Sequence, residues 1–371
     1  MRTIQVVNVR WYNATAWYGV TLARCLQDAG HDTLVVGLPG TPPLLRAQEM
    51  GLETVALPMN TFSPSNLVKL WLGMDELVKN FHPSVVNCHR GEAFILWALL
   101  KKKYGFSLVR TRGDRRLPKN DPINRWLHCR AADAVIATNS LMAGYFSEAF
   151  HVPDHRLHTI LGGVDTLRFC PDMQARKDTR RYYGFRDNDI VMGLLGRMDE
   201  VKGIRETIQA LSAVRRRNAD AKKLKFLIIG FDSEYTSENV ARWCEENGLG
   251  VLGENVIVTG KVKQPERVIN ALDFGILSSL GSEAIARAAL EIMAAGIPLI
   301  SSTTGVMPDL IPTEYCFAPG DIDGMATQMA KMLDSEQRSI LADVCRKTIK
   351  DKKLSLKDFL EQTLNVYRGI L

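Results

Sequence analysis

Residues 276–311 read ILSSLGSEAIARAALEIMAAGIPLISSTTGVMPDLI. An apolar start, Ile276–Leu277, leads into a small-residue turn over 278–282. Alanine and leucine dominate from Ala284 to Ala295, which predicts a helix, and Gly296 supplies its stop. Pro298-Leu299-Ile300 begins the next apolar strand. Two carboxylates, Glu283 and Glu291, stand in this otherwise apolar segment, eight positions apart. At ~1.5 Å per residue a helix would separate them by about 12 Å. That span matches an extended sugar-diphosphate-nucleoside, with the helix N-terminus facing the phosphates. The plainer reading is that both acids start and decorate an alanine-rich helix.

Upstream, 190–196 is a strand, followed by Arg197-Met198-Asp199-Glu200-Val201-Lys202-Gly203 and an amphipathic helix from Ile204 to about Arg217. An arginine and a lysine five apart, on a loop entering a helix, make a diphosphate cradle. Either cation alone would mean little; their setting in a βαβ unit upstream of the two acids gives them a role. Residues 225–230 and 256–260 are further strands, Lys261-Val262 follows the second, and 268–274 reads as a helix. From Gly320 the pattern is helical to the end.

The first half opens in the same way. A strand over 4–9 ends in Arg10-Trp11-Tyr12-Asn13; a helix over 15–29, stopped by Gly30, and a strand over 33–37 complete a βαβ unit and so a parallel sheet. No G-x-G-x-x-G follows the first strand, so a dinucleotide cofactor is not supported. Residues 83–89, PSVVNCH, form a buried strand whose last residue, His89, precedes Arg90-Gly91-Glu92. Carboxyl ends of parallel strands are where sites occur, although a lone histidine is usually structural. A strand over 107–111 is followed by Arg112-Gly113-Asp114-Arg115-Arg116, and with Arg110 this reads as a dense cationic loop suited to phosphate. In 66–81, Leu67, Leu70, Trp71, Met74, Leu77, Val78 and Phe81 fall at helical spacing. Core packing accounts for them; a membrane-surface helix is the alternative, because Trp71, Lys69 and Lys79 suit an interface. The polar run 171–181 reads as a linker, with a domain boundary near 170.

With 371 residues, 46% of them hydrophobic, the chain is long enough for two domains. No apolar run reaches ~18 residues, so no transmembrane helix is expected, and MRTIQVVNVR lacks a signal-peptide core. Seven scattered cysteines without a C-x-x-C pair point to a reducing cytoplasm and away from structural zinc. Residues 1–170 hold 19 Lys+Arg against 13 Asp+Glu; from chain totals of 47 and 41 the remainder keeps 28 of each. The net charge of +6 therefore lies in the first half, where a basic face could meet phosphates on nucleic acid, lipid or an acidic acceptor. It stops near 170 and no nucleic-acid recognition motif appears, so a nucleic-acid partner is not expected.

Glu283, seven residues and Glu291, followed by M-A-A-G-I-P-L-I-S-S and G-V-M-P-D-L-I, resemble the signature of family 4 retaining glycosyltransferases (group 1, E-x7-E type). The resemblance is strong over 160–311 and moderate before it. It implies the GT-B fold: two Rossmann-like, doubly wound parallel-sheet domains facing across a cleft. These would be an acceptor-binding domain at 1–170, a nucleotide-sugar-binding domain at 171–353, and a helix at 354–371 crossing back to the first. It further implies a metal-independent, retaining transfer from a nucleotide-diphosphate sugar, without cofactor, to a glycan or phosphorylated glycolipid, such as a lipopolysaccharide core at an anionic inner membrane face. Arg197, Lys202 and Glu283 would be catalytic. Gly196, Val262, Ala284, Ile285, Ala286 and Glu291 would join them around the donor, Glu291 on the ribose. His89, Arg90, Arg112 and Asp114 would meet the acceptor. Three departures stand out: relatives carry glycines where Ala284-Ile285-Ala286 stands, many carry a glycine pair where Ala14-Thr15-Ala16 stands between Trp11 and Trp17, and many place a histidine near Gly113. A nucleotide-sugar epimerase or a phosphorylase on the same fold is the alternative reading.

Overall fold

The computed structural model describes residues 1–61, 63–113, 116–281 and 283–371. It divides into two compact units, 1–162 with 356–371, and 163–355. Each is built on a single sheet whose described pairings are all parallel. The expected α/β class with two doubly wound sheets is therefore present.

In the first unit the strands are β1 (Arg2–Val7), β2 (Asp32–Gly37), β3 (Glu53–Ala56), β4 (Val85–Cys88), β5 (Ser107–Arg112), β6 (Ala134–Ala137) and β7 (Leu157–Thr159). Their order is β3-β2-β1-β4-β5-β6-β7. β1 is buried from Thr3 to Val7, the near-continuous burial of a strand covered on both faces. Asn13 opens the helix Ala14–Asp28 by accepting the Ala16 N–H at 3.0 Å. The helix Leu356–Gly369 belongs to this unit. Its Tyr367 hydroxyl accepts from Gln5 Nε2 at 3.2 Å and Asn87 Nδ2 at 2.9 Å, satisfying two amides that the core would otherwise orphan.

In the second unit β8 (Ile190–Leu195), β9 (Leu224–Ile229), β10 (Val256–Val258), β11 (Phe274–Leu277), β12 (Leu299–Ser302) and β13 (Cys316–Phe317) run in the order β10-β9-β8-β11-β12-β13. Its first residues are claimed from the stretch before 170: the Val164 N–H donates to the Leu354 carbonyl at 2.8 Å, and Val164 bridges Ser355.

Three local expectations need correction. The polar run at 171–181 is mostly a helix, Met173–Tyr182, capped by Asp172. Its arginines turn inward: Arg176 and Arg180 both bind Asp273, at 2.6 and 3.0 Å, so a composition that reads as linker builds a packed face. The helix expected over 268–274 ends at Ile269, and Phe274 already belongs to β11, because Asp273 is drawn into that arginine pair and its N–H into the Val191 carbonyl. The helix expected from Ala284 begins only at Arg287. Glu283 thus precedes it, and the 12 Å helical spacing of the two acids does not apply.

Candidate functional site

In the second sheet the chain proceeds outward from β8 through β9 to β10 on one side, and from β11 through β12 to β13 on the other. The β8/β11 boundary is a topological switch point, where loops diverge at the carboxyl ends of the strands and leave a crevice. Lys202 follows β8 and Glu283 follows β11, so both arrive at that boundary.

Lys202 ends a single 3-10 turn, Glu200–Lys202, and Gly203 then reverses the chain with φ +65°. A Cβ there would lie 2.2 Å from the Ser278 carbonyl, so only glycine permits the two loops to approach this closely. Thr207 Oγ1 donates to Ser278 Oγ at 2.7 Å, Ser278 Oγ donates to the Lys202 carbonyl at 2.9 Å, and the Leu280 N–H donates to the Val201 carbonyl. The loops are fixed to each other before any side chain reaches the crevice.

Across this joint Lys202 Nζ lies 2.6 Å from Glu283 Oε1, which also accepts from Ser279 Oγ at 2.5 Å. Glu283 is 5% exposed. Its backbone is held as firmly: the Val306 N–H donates to the Glu283 carbonyl at 2.8 Å, and Gly305, at φ +61°, packs so closely that a Cβ would sit 2.2 Å from that oxygen. A buried carboxylate is tolerated because a cation and a hydroxyl meet it.

The other expected donor residues belong to the same unit, and of them Gly196 is packed against Lys202, whose side chain a Cβ there would meet at 3.2 Å. Arg197 is exposed and held by Asp199 at 3.1 Å. Glu291 is buried on the helix Arg287–Ala294 and accepts from Arg287 Nε at 2.6 Å. Burial pushes the Glu291 carboxyl above its ordinary value, against the opposing pull of Arg287 and Arg168. Gly196 directly follows β8, and Val262 is half-buried on the loop after β10. Ile285 and Ala286 are buried and Ala284 half-buried. Sequence reasoning gave no role to Ser279, Gly203, Gly305 and Arg287; the glycines standing beside the motif residues were the signal available for two of them.

In the first unit the switch point lies between β1 and β4. His89 directly follows β4 but lies inside: it is fully buried, with Nε2 3.0 Å from Gln5 Oε1 and Gly19 packed over the ring. Burial, then the nearby Arg110 charge, lower its pKa to about 3, so it is a neutral core group and not an exposed acceptor contact. Arg110 also leaves the expected cationic loop. It is wholly buried on β5 and donates to the Cys88 and Thr111 carbonyls, both at 2.7 Å. Arg90 pairs with Glu92 at 2.8 Å, and Arg112 donates to the Arg116 carbonyl at 2.6 Å; both are half-buried. Asp114 lies outside the described residues.

Comparison with known proteins agrees with this layout. Residues 16–168 match the family described as Glycosyltransferase Family 4, and residues 189–335 that described as Glycosyl transferases group 1. A GDP-mannose-dependent alpha-(1-6)-phosphatidylinositol monomannoside mannosyltransferase of Mycolicibacterium smegmatis is 27% identical over 219 residues, 56% of this chain and 55% of the relative. The chain thus spans about half the length of the curated relatives it matches. Among solved structures, a glycosyltransferase of Rickettsia africae superposes with a TM-score of 0.87 at 16% identity, covering 100% of this chain and 98% of its own. HepE of Anabaena, solved with UDP, gives 0.85 at 16% identity over the full length of both. The fold is GT-B, two Rossmann-like units.

Proposed function

The chain belongs to the family 4, group 1 glycosyltransferases, and from that membership we propose that it moves a sugar from a nucleotide-diphosphate sugar to a phosphorylated glycolipid or glycan, retaining the anomeric configuration. The observation that carries this reading is the Lys202–Glu283 contact at the second unit's switch point.

Breaking the donor's glycosidic bond leaves an oxocarbenium-like sugar and a diphosphate whose charge must be stabilised. Lys202 and Arg197 supply that stabilisation, so fixed cations perform the task a metal ion would otherwise take. Glu283 binds sugar hydroxyls and Glu291 the ribose. Gly196 and Ala284–Ala286 offer backbone to the donor, and the loop at Val262 holds the base. The departing phosphate takes the acceptor's proton, which dispenses with a separate general base and keeps attack on the face the leaving group vacates. HepE with UDP supports a nucleotide-diphosphate donor.

For the acceptor, Arg90 and Arg112 face the first unit's carboxyl edge, and the mycobacterial relative's name carries a phosphatidylinositol mannoside. The first unit also exposes Leu67, Val68 and Leu72 on the helix Pro64–Phe81, Ile95 and Leu99 on the helix Phe94–Tyr104, and Ile123 on the helix Pro122–Trp126. Lys103 paired with Asp75, and Lys102 over the Trp126 ring, bring the three helices side by side. Apolar side chains on helices that also carry Lys69, Lys79, Lys102 and Lys103 suit an anionic bilayer surface. No helix among the described residues is long and apolar enough to cross a membrane, so attachment would be peripheral. We assign the work to the cytoplasmic face of the cell envelope, with a lipopolysaccharide-core type of acceptor.

The test is to incubate the protein with UDP- and GDP-sugars and anionic glycolipid, and to determine the product's anomeric configuration by NMR. Retention of the donor's configuration supports the reading; an inverted product, or no transfer from any donor, overturns it.

A further inference from the structure

The Glu283 carboxylate is asymmetric in its bonding. Both donors that reach it, Lys202 Nζ and Ser279 Oγ, converge on Oε1, at 2.6 and 2.5 Å. Among the described residues no hydrogen bond is made to Oε2. The seryl donor is buried and its backbone anchored. Ser279 is 1% exposed, and its carbonyl accepts from Ser302 Oγ at 2.7 Å and from Thr304 Oγ1 at 2.9 Å. Its neighbour Ser278 is bonded to Thr207 and to the Lys202 carbonyl. Two hydroxyls from the end of β12, and one hydroxyl and one carbonyl from the β8 side, therefore bracket the 278–279 peptide, so the backbone that carries the seryl donor is held independently of the Lys202 side chain.

Lys202 is the less dependable partner, since a flexible ammonium placed to serve a diphosphate divides its bonds between that anion and Glu283. When it turns to phosphate, Ser279 is the group that still holds Oε1. We propose that Ser279 is a positioning residue for sugar recognition: it fixes the rotation of the Glu283 carboxylate so that Oε2 alone meets the donor's hydroxyl, and thereby sets discrimination between epimeric donor sugars. This rests on the donor-site reading above and adds to it the residue that makes one carboxylate oxygen the reader of sugar stereochemistry.

The experiment compares wild type with Ser279→Ala by calorimetric titration with UDP, GDP and the epimer pairs UDP-glucose/UDP-galactose and GDP-mannose/GDP-glucose. In the wild type one sugar nucleotide binds more tightly than its free diphosphate and its epimer. In Ser279→Ala that margin falls roughly 10- to 100-fold, or to nothing where it is smaller, the loss expected for a hydrogen bond to a charged group. Affinity for the free diphosphate stays within about twofold. Ser301→Ala removes a buried hydroxyl bonded to the Leu277 and Ser302 carbonyls in the same neighbourhood, and serves as the packing control. It should lower the melting temperature and leave the epimer ratio unchanged. Unchanged sugar discrimination in Ser279→Ala, or a diphosphate affinity that falls in parallel with it, overturns the inference. So does an equal loss of discrimination in Ser301→Ala. A wild type that binds no nucleotide overturns the donor-site reading itself, which is a different result. Should Ser279→Ala fail to fold, Ser279→Cys enters the same titrations: its thiol, a much weaker donor, should narrow the epimer ratio, and a wild-type ratio would overturn the inference.

Discussion

Lys202 and Glu283 stand 81 residues apart in the chain and 2.6 Å apart in the fold, one at the end of each strand flanking the second sheet's switch point. The contact serves two ends. It makes a nearly buried carboxylate tolerable, and it sets a cation beside an anion at that switch point, the pairing on which the proposed donor site rests.

Replacing Lys202 by alanine should therefore have two separable effects. Turnover should fall about 10²–10³-fold, the loss typical when a charge-stabilising donor is removed from a transition state. Stability should fall as well, because Glu283 keeps its burial and loses its cation. A double-mutant cycle of Lys202→Met with Glu283→Gln, read by urea unfolding, should give a coupling of roughly 1.5–3 kcal/mol. Coupling near zero would show that the pair does not support the loop joint.

Gly305→Ala tests the backbone support of Glu283. The new methyl would meet the Glu283 carbonyl at 2.2 Å, at a φ of +61° that alanine adopts poorly. Gly105 offers the comparison: its φ is +79°, but no atom lies within 4 Å of a Cβ there, so Gly105→Ala should cost only about 1–2 kcal/mol and leave transfer unchanged. Gly305→Ala should cost more and reduce turnover by ~10²-fold through displacement of the carboxylate. Equal effects from both substitutions would deny Gly305 any role beyond its dihedral.

Much of this was legible in the sequence because apolar runs and glycine stops follow local rules. The strands around Ile4–Val7 and Phe226–Ile229 appear where periodicity puts them, and the pattern of cations and acids led to Lys202 and Glu283. The errors share one cause, which is long-range pairing of charged or polar groups. Met173–Tyr182 looks like a linker until Asp273, 97 positions beyond Arg176, draws its arginines inward. Glu283 looks helical until the Val306 N–H takes its carbonyl, with Gly305 packed against it. His89 looks like a ligand until Gln5 takes its Nε2 within the core, and Arg110 looks like part of a loop until β4 accepts its guanidinium. No local window contains those partners.

Two buried histidines contribute to the acid response of the fold. Burial lowers His89 to about 3 and His128, caged by Phe146 and Phe150, to about 4, from an ordinary 6.5. Between about 6.5 and these lowered values the unfolded chain binds more protons than the native one, so stability is full above about 6.5 and declines as pH falls towards 4 and 3. At pH 5 each histidine should cost about 2 kcal/mol relative to neutrality. Urea unfolding at pH 7.5 and 5.0 measures the difference, and His128→Phe should remove about half of it. An unchanged slope in that variant would mean that His128 titrates normally in the folded protein.

The exposed apolar row on the first unit gives the last prediction. Val68 and Leu72 lie one turn apart on the helix Pro64–Phe81, and Ile95 and Leu99 do so on the neighbouring helix, which is joined to the first through Lys103 and Asp75. Apolar insertion and charge attraction contribute separately to binding at a bilayer surface, and salt screens only the second. Val68→Ser with Leu72→Ser should weaken flotation with phosphatidylserine vesicles at every salt concentration. Lys102→Glu with Lys103→Glu should weaken it at low salt and have little effect at 0.5 M. Transfer to a water-soluble acceptor should be unaffected in both variants. Wild-type protein that fails to float with anionic vesicles at low salt would remove the bilayer from the proposal and leave the donor chemistry standing.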